Sequence, residues 1–182
     1  MPECRINIIR FLDGVKKFLE LGANPNLPNT MKTAVSSIKV TPLGIAVAKG
    51  YPAIAEEILK YKPSSEVIQG AFALCHLSCK DILIEACNRE AIVAFKAKQY
   101  NKAKDLYLKA LEHMQESLSY SVRYNLGVCL LEKGEEKNAL EVFSDLKMKL
   151  TSAKINAALL AKVETRITQL TNDSAPICRT PR

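Results

Sequence analysis

Between Thr41 and Pro63 the chain reads TPLGIAVAKGYPAIAEEILKYKP, and this stretch leaves few folding options. Thr41 can accept a hydrogen bond from the start of a helix, and Pro42 suits a first turn because the N–H it lacks is not needed there. Gly50 stops the run through Ile45, Ala46 and Val47. A second apolar run, through Ile54, Ile58 and Leu59, starts near Pro52 and ends where Pro63 forbids continuation. The pattern predicts a tight helical hairpin with one apolar seam. Such a unit cannot bury its apolar face alone, so neighbours of the same kind are expected.

The rest of the chain supplies them. It has 182 residues, 48% apolar and 25% charged, with 6% aromatics and no Trp. Ala, Leu, Lys and Glu dominate over the residues that populate strands, so the expected fold is all-α, a solenoid of helical hairpins. The formal charge of +7 admits an alternative, a basic solenoid that binds nucleic acid or anionic membrane. Yet Lys and Glu alternate in KAKDLYLKALEHMQE and LEKGEEKNALEV, the composition of solvated helix faces. No run reaches the apolar length of a membrane span. The start MPECRINIIRFLDGVKK lacks a secretory pattern, so the six Cys are expected to be reduced thiols in the cytoplasm.

Upstream of the hairpin, VKKFLELGANPNLPN resembles the second half of an ankyrin unit, and the resemblance implies a helix and its closing loop there and an extended β-hairpin finger over NTMKTAVSSIK. Downstream, SSEVIQGAFALCH reads as a helix with Val67, Ile68, Ala71, Phe72 and Cys75 on one side. Ser78 and Asp81 form a capping-box start, and no Gly or Pro interrupts the helix expected from Cys79 to about Lys98. In SAKINAALLAKVETRITQL, Ile155, Leu159, Val163, Ile167 and Leu170 make one stripe, as in the cap of a solenoid.

Thr41, Pro42, Leu43 and Ala46, with the L-x-x-G-A-x-P-N close of the segment before, resemble ankyrin repeats; Gly44 stands where that family usually has His. Further on, Ala91, Ala103 and Ala110 with Tyr100 and Tyr107, then Leu126, Gly127, Leu130, Gly134, Ala139 and Phe143, resemble tetratricopeptide repeats. Ala103 to Ala139 is two residues more than the standard 34 of that family. The resemblance implies ankyrin-like repeats over 1–76, tetratricopeptide-like repeats with a capping helix over 77–171, and a disordered tail over 172–182. Short hybrids of this kind also resemble repeat proteins that intracellular bacteria deliver into host cells, which would place the chain in the host cytosol.

Function is expected to be non-catalytic. His76 and His113 sit in no motif that presents a nucleophile or base, and no glycine-rich phosphate loop occurs, so neither catalytic residues nor a cofactor are expected. Cys75, His76, Cys79 and Cys87 invite a zinc reading. Their spacing departs from the usual short knuckles, and core packing of the thiols is preferred, with no metal.

The tetratricopeptide resemblance implies a concave groove that binds a partner peptide or protein, lined by Asn88, Phe95, Lys96, Tyr124, Asn125, Val128 and Glu132, with Lys162 and Arg166 from the cap. Exposed Tyr124 and Phe95 would be its anchors. The residues at Asn88 and Ile92 do not suit the carboxylate-clamp variant of that groove. A second surface is the finger, with Met31, Lys32, Ile38 and Lys39 near its tip. The chain is expected to be a monomeric adaptor or scaffold.

Overall fold

Thr41 Oγ1 accepts a hydrogen bond from the Gly44 amide at 3.2 Å, and helix α2 (Pro42–Ala48) starts there with Pro42 in its first turn. Gly50 ends it with a positive φ. The Tyr51 amide bonds the Ala46 carbonyl and the Gly50 amide the Val47 carbonyl, which satisfies the carbonyls that a helix end leaves over. Helix α3 (Pro52–Lys60) follows and packs back on α2. The computed structural model describes residues 2–32, 37–116 and 119–173 of the chain. Among them are nine α-helices and one two-stranded hairpin, an all-α fold of the helical-repeat type.

The chain divides into two compact units, Met1–Glu90 and Ala91–Arg182. In the first, α1 (Pro2–Glu20) packs on α3, while α4 (Ser65–Ala71) packs on α2. The core is formed by Leu43, Val47, Ala55, Ile58, Ile68 and Leu83. The Asn26 side chain ties distant loops together, because its Oδ1 accepts the Ser64 amide at 2.6 Å. Gly44 has a steric reason: a Cβ there would stand 3.3 Å from both Thr41 Oγ1 and Val40 Cγ1.

The expected finger forms, with β1 (Asn29–Lys32) antiparallel to β2 (Ser37–Val40) and Met31 opposite Ile38. Its tip, 33–36, lies outside the described residues.

Two local expectations are corrected here. SSEVIQGAFALCH is not one helix: α4 ends at Ala71, a 3-10 turn spans Phe72–Leu74, and Cys75 is extended. The chain turns so that the His76 amide can bond the Val47 carbonyl at 2.9 Å, at the end of α2. The capping box of Ser78 and Asp81 is replaced by His76, whose Nδ1 accepts the Ser78 amide at the start of the 3-10 turn Leu77–Cys79. Helix α5 (Lys80–Lys96) then runs unbroken, and the division between the units falls within it, between Glu90 and Ala91.

In the second unit, α6 (Tyr100–His113), α7 (Tyr120–Glu132), α8 (Glu136–Ala153) and α9 (Ala157–Asp173) each pack on the next. A repeat of thirty-six residues is visible in burial. Ala91 and Gly127, Ala94 and Leu130, Ala103 and Ala139, Tyr107 and Phe143, and Ala110 and Leu146 are buried in matching places.

The turns repeat too. Gly134 has a positive φ, with the Glu135 amide on the Leu130 carbonyl and its own amide on the Leu131 carbonyl; Lys98, in the matching place, has φ 59° and the same two bonds, from Gln99 to Ala94 and from Lys98 to Phe95. Helices α7 and α8 approach closely, for a Cβ on Gly127 would lie 2.6 Å from Phe143 Cε1. Phe143 itself is fully buried.

In the last helix Val163 and Leu170 are buried and Leu159 and Ile167 half-buried, but Ile155 is 45% exposed and precedes the helix. The helix includes Asn172 and Asp173, the first residues of the expected tail; 174–182 lie outside the described residues.

Two substitutions test this packing. Gly127→Ala should cost about 1–3 kcal/mol in urea unfolding, because the fully buried ring of Phe143 would have to shift to admit the methyl group. Lys98→Gly should gain roughly 0.5–1 kcal/mol, since a side chain in the left-handed region costs about 1–2 kcal/mol and the extra freedom of unfolded glycine offsets only part of that.

Candidate functional site

Helix α7 lies between two others, packing on both α6 and α8, and Val122, Leu126, Gly127, Cys129 and Leu130 are buried. One face is left over. Ser121, Tyr124, Asn125, Val128 and Glu132 recur at the three- and four-residue spacing that aligns side chains along a helix. Ser121 and Glu132 are exposed, and the middle three are half-buried. Tyr124 is therefore less exposed than the sequence suggested, for a physical reason: its ring tilts at 54° onto Phe143, with centroids 5.8 Å apart. This fixes the ring, so the aromatic edge that remains accessible is held in place without further loss of freedom.

The other expected groove residues stand elsewhere. Phe95 is also half-buried, its ring meeting Tyr100 edge-on at 5.8 Å, and Lys96 beside it is exposed. Lys162 is exposed on α9, where half-buried Arg166 donates to Gln169 Oε1 at 3.3 Å. Asn88 belongs to the first unit and is half-buried, with Oδ1 shut off from solvent and without a hydrogen-bond partner. In the finger the backbone places Met31 and Lys32 opposite Ile38 and Ser37, and Lys39 is exposed. Cys79 and Cys87 are fully buried in the first unit, where Cys packs as a small hydrophobe, and Cys75, Cys79, Cys87 and Cys129 are in no disulfide. Burial raises the Cys75 and Cys129 thiols. It also pushes the Tyr107 phenol up to about 12.

Charge in the second unit is organised into interhelical links. Lys104 of α6 reaches Glu135 at 3.1 Å, Lys133 reaches the same carboxylate, and Asn138 donates to it at 2.8 Å. These donors, led by Lys133, hold the Glu135 carboxyl at about 2. Arg123 of α7 pairs with Asp145 of α8 at 3.2 Å; Lys149 joins Asp145 to Glu116; Lys147 meets Glu164 of α9 at 3.1 Å. Many cations of this unit thus already face acids of its own.

The sequence reading missed an apolar groove in the first unit. It holds about 500 Å3 and is lined by α1, α2 and α3, with Phe11, Phe18, Ile45 and Ile54 among its walls. The signal was the pair Phe11 and Phe18, seven residues apart on α1. No family model matches the chain, and no curated protein is a significant match. No helix among the described residues is long and apolar enough to cross a membrane.

The Glu135 network gives a pH test. Its carboxyl titrates well below the ordinary 4.5, so the stability it contributes is fully present above about pH 4.5 and is lost as pH falls toward 2. Glu135→Gln should lower the urea midpoint at pH 7, and the gap to the parent protein should narrow between pH 4.5 and 2.

Proposed function

We propose that this chain is a non-catalytic protein-interaction module, an adaptor or scaffold whose ankyrin-like N-terminal and tetratricopeptide-like C-terminal hairpins present a preformed surface to a partner protein or peptide in the cytoplasm. The observation that carries this reading is the face of α7. A helix packed on two neighbours leaves one row of mixed character, Ser121, Tyr124, Asn125, Val128 and Glu132, exposed at its ends and half-buried between them. Polar groups beside an apolar residue and a pre-fixed aromatic ring are what a peptide-binding surface uses, because little side-chain entropy remains to be lost on binding. Lys96, Lys162 and Arg166 add cations that would favour an acidic partner segment.

The alternative is a basic surface for nucleic acid or anionic lipid. The ion pairs that set Lys104, Arg123, Lys133, Lys147 and Lys149 beside acids of the same unit keep these cations from forming an uninterrupted basic patch, and this favours the protein partner.

Affinity capture from a eukaryotic lysate, read by mass spectrometry, tests the proposal. A protein retained by the chain should be lost from Val128→Asp, with affinity down about tenfold or more, as for an interface anchor worth roughly 1–2 kcal/mol. Circular dichroism of that variant should be unchanged. Steeply salt-dependent retention on heparin or anionic vesicles, with no captured protein sensitive to Val128, would transfer the function to the alternative.

A further inference from the structure

Helix α1 contains a glycine that its own fold does not require. Gly14 sits in mid-helix, where glycine costs about 1 kcal/mol relative to alanine, and a Cβ built on it would meet nothing within 4 Å. It needs neither a tight turn nor room for a neighbour in the described chain. Its surroundings are equally unusual. Phe11 and Phe18 are each 68% exposed and Leu21 is 75% exposed. With Gly14 they follow the spacing 11, 14, 18, 21, an apolar seam with a gap at its centre. The seam borders the groove of about 500 Å3, whose floor is Ile45, Ile54 and Ile58 and whose only charged lining residue among the described ones is Lys49.

We propose that this seam and groove are a homodimer interface, in which α1 of one copy lies antiparallel to α1 of a second copy across a two-fold axis beside Gly14. The chain carries both halves of such a contact, which is what a two-fold interface demands. The register is self-consistent. With the axis between Gly14 and Val15, Phe11 of each copy lies opposite Phe18 of the other, forming two aromatic pairs. Gly14 faces Val15, where a missing side chain lets the helices approach closely. Each α1 then covers the groove of the other copy.

Area agrees with a modest affinity. A buried aromatic covers about 150–250 Å2, so two rings that are two-thirds exposed would remove roughly 200–350 Å2 per copy from water. Leu21, with half-buried Val15 and Ile45 of the groove and the side chains flanking the seam, brings the total toward the lower end of specific interfaces, about 600 Å2 per partner. The dimer should therefore form in the micromolar range. It uses no residue of the α7 face, so either proposal can fail without the other.

Sedimentation equilibrium or light scattering of the full chain, from about 5 to 500 μM to span micromolar dissociation, tests this. Mass should rise from the 20.1 kDa monomer toward twice that value. The double variant Phe11→Glu, Phe18→Glu should stay monomeric with unchanged circular dichroism, because both rings are exposed in the single copy. Gly14→Leu should also weaken the dimer at least tenfold while raising the thermal midpoint of the monomer, a combination that a purely structural role for Gly14 would not give. A chain that is monomeric throughout the range overturns the proposal, and so does a dimer that survives the double variant, which would point to another face such as the finger. A monomer whose aromatic seam instead binds uncharged lipid vesicles overturns it in favour of a membrane surface.

Discussion

Phe143 resting on the bare backbone of Gly127 sets the spacing of the second unit. An α-helix carries its side chains on a cylinder about 10 Å across, and two such helices come together closely only where one presents no side chain. That approach puts the Tyr124 ring onto Phe143 of α8 and leaves the row from Ser121 to Glu132 partly accessible, with Ser121 and Glu132 exposed at its ends. Thirty-six residues earlier, Ala91 and Tyr107 occupy the places of Gly127 and Phe143 and are buried likewise. The candidate site therefore follows from a packing choice made on the adjoining face of the same helix, where Tyr124 and Gly127 both meet Phe143.

The electrostatic links act on top of this packing. Glu135 begins the helix pair that follows the Gly134 turn and takes a cation from α6 and another from the turn itself. Exposed pairs of this kind individually contribute little. Shared on one carboxylate, they make the turn and the neighbouring helix respond together to acid.

What could be read from the sequence was local. The cap at Thr41, the stops at Gly50 and Gly134, the finger, and the small residues Ala91, Ala103, Ala110 and Gly127 all act within a few residues or at a fixed period, and each stands as expected. The failures were those in which a distant partner decides. The segment after Ser65 reads as one helix until the His76 amide finds the Val47 carbonyl. Tyr124 reads as an exposed anchor until Phe143 is placed against it. Glu135 reads as one of two solvated acids until Lys104, thirty-one positions earlier, comes within reach. The groove beside Phe11 and Phe18 escaped for the same reason, since α1, α2 and α3 must come together before it exists.

The bond from Asn26 to the Ser64 amide has a consequence for how such a chain can change over time. It fastens the loop after α1 to the start of α4 without involving the finger that lies between them. Residues added to the finger would lengthen only a loop whose ends are already held, and each doubling of such a loop costs only about 0.6 kcal/mol. The same freedom does not extend to the turn at Gly134, where an insertion would move Glu135 away from Lys104 and shift Phe143 off Gly127. The finger is thus the part of the first unit most open to insertion and sequence drift, while the helix pairs around it are held to length by their own contacts.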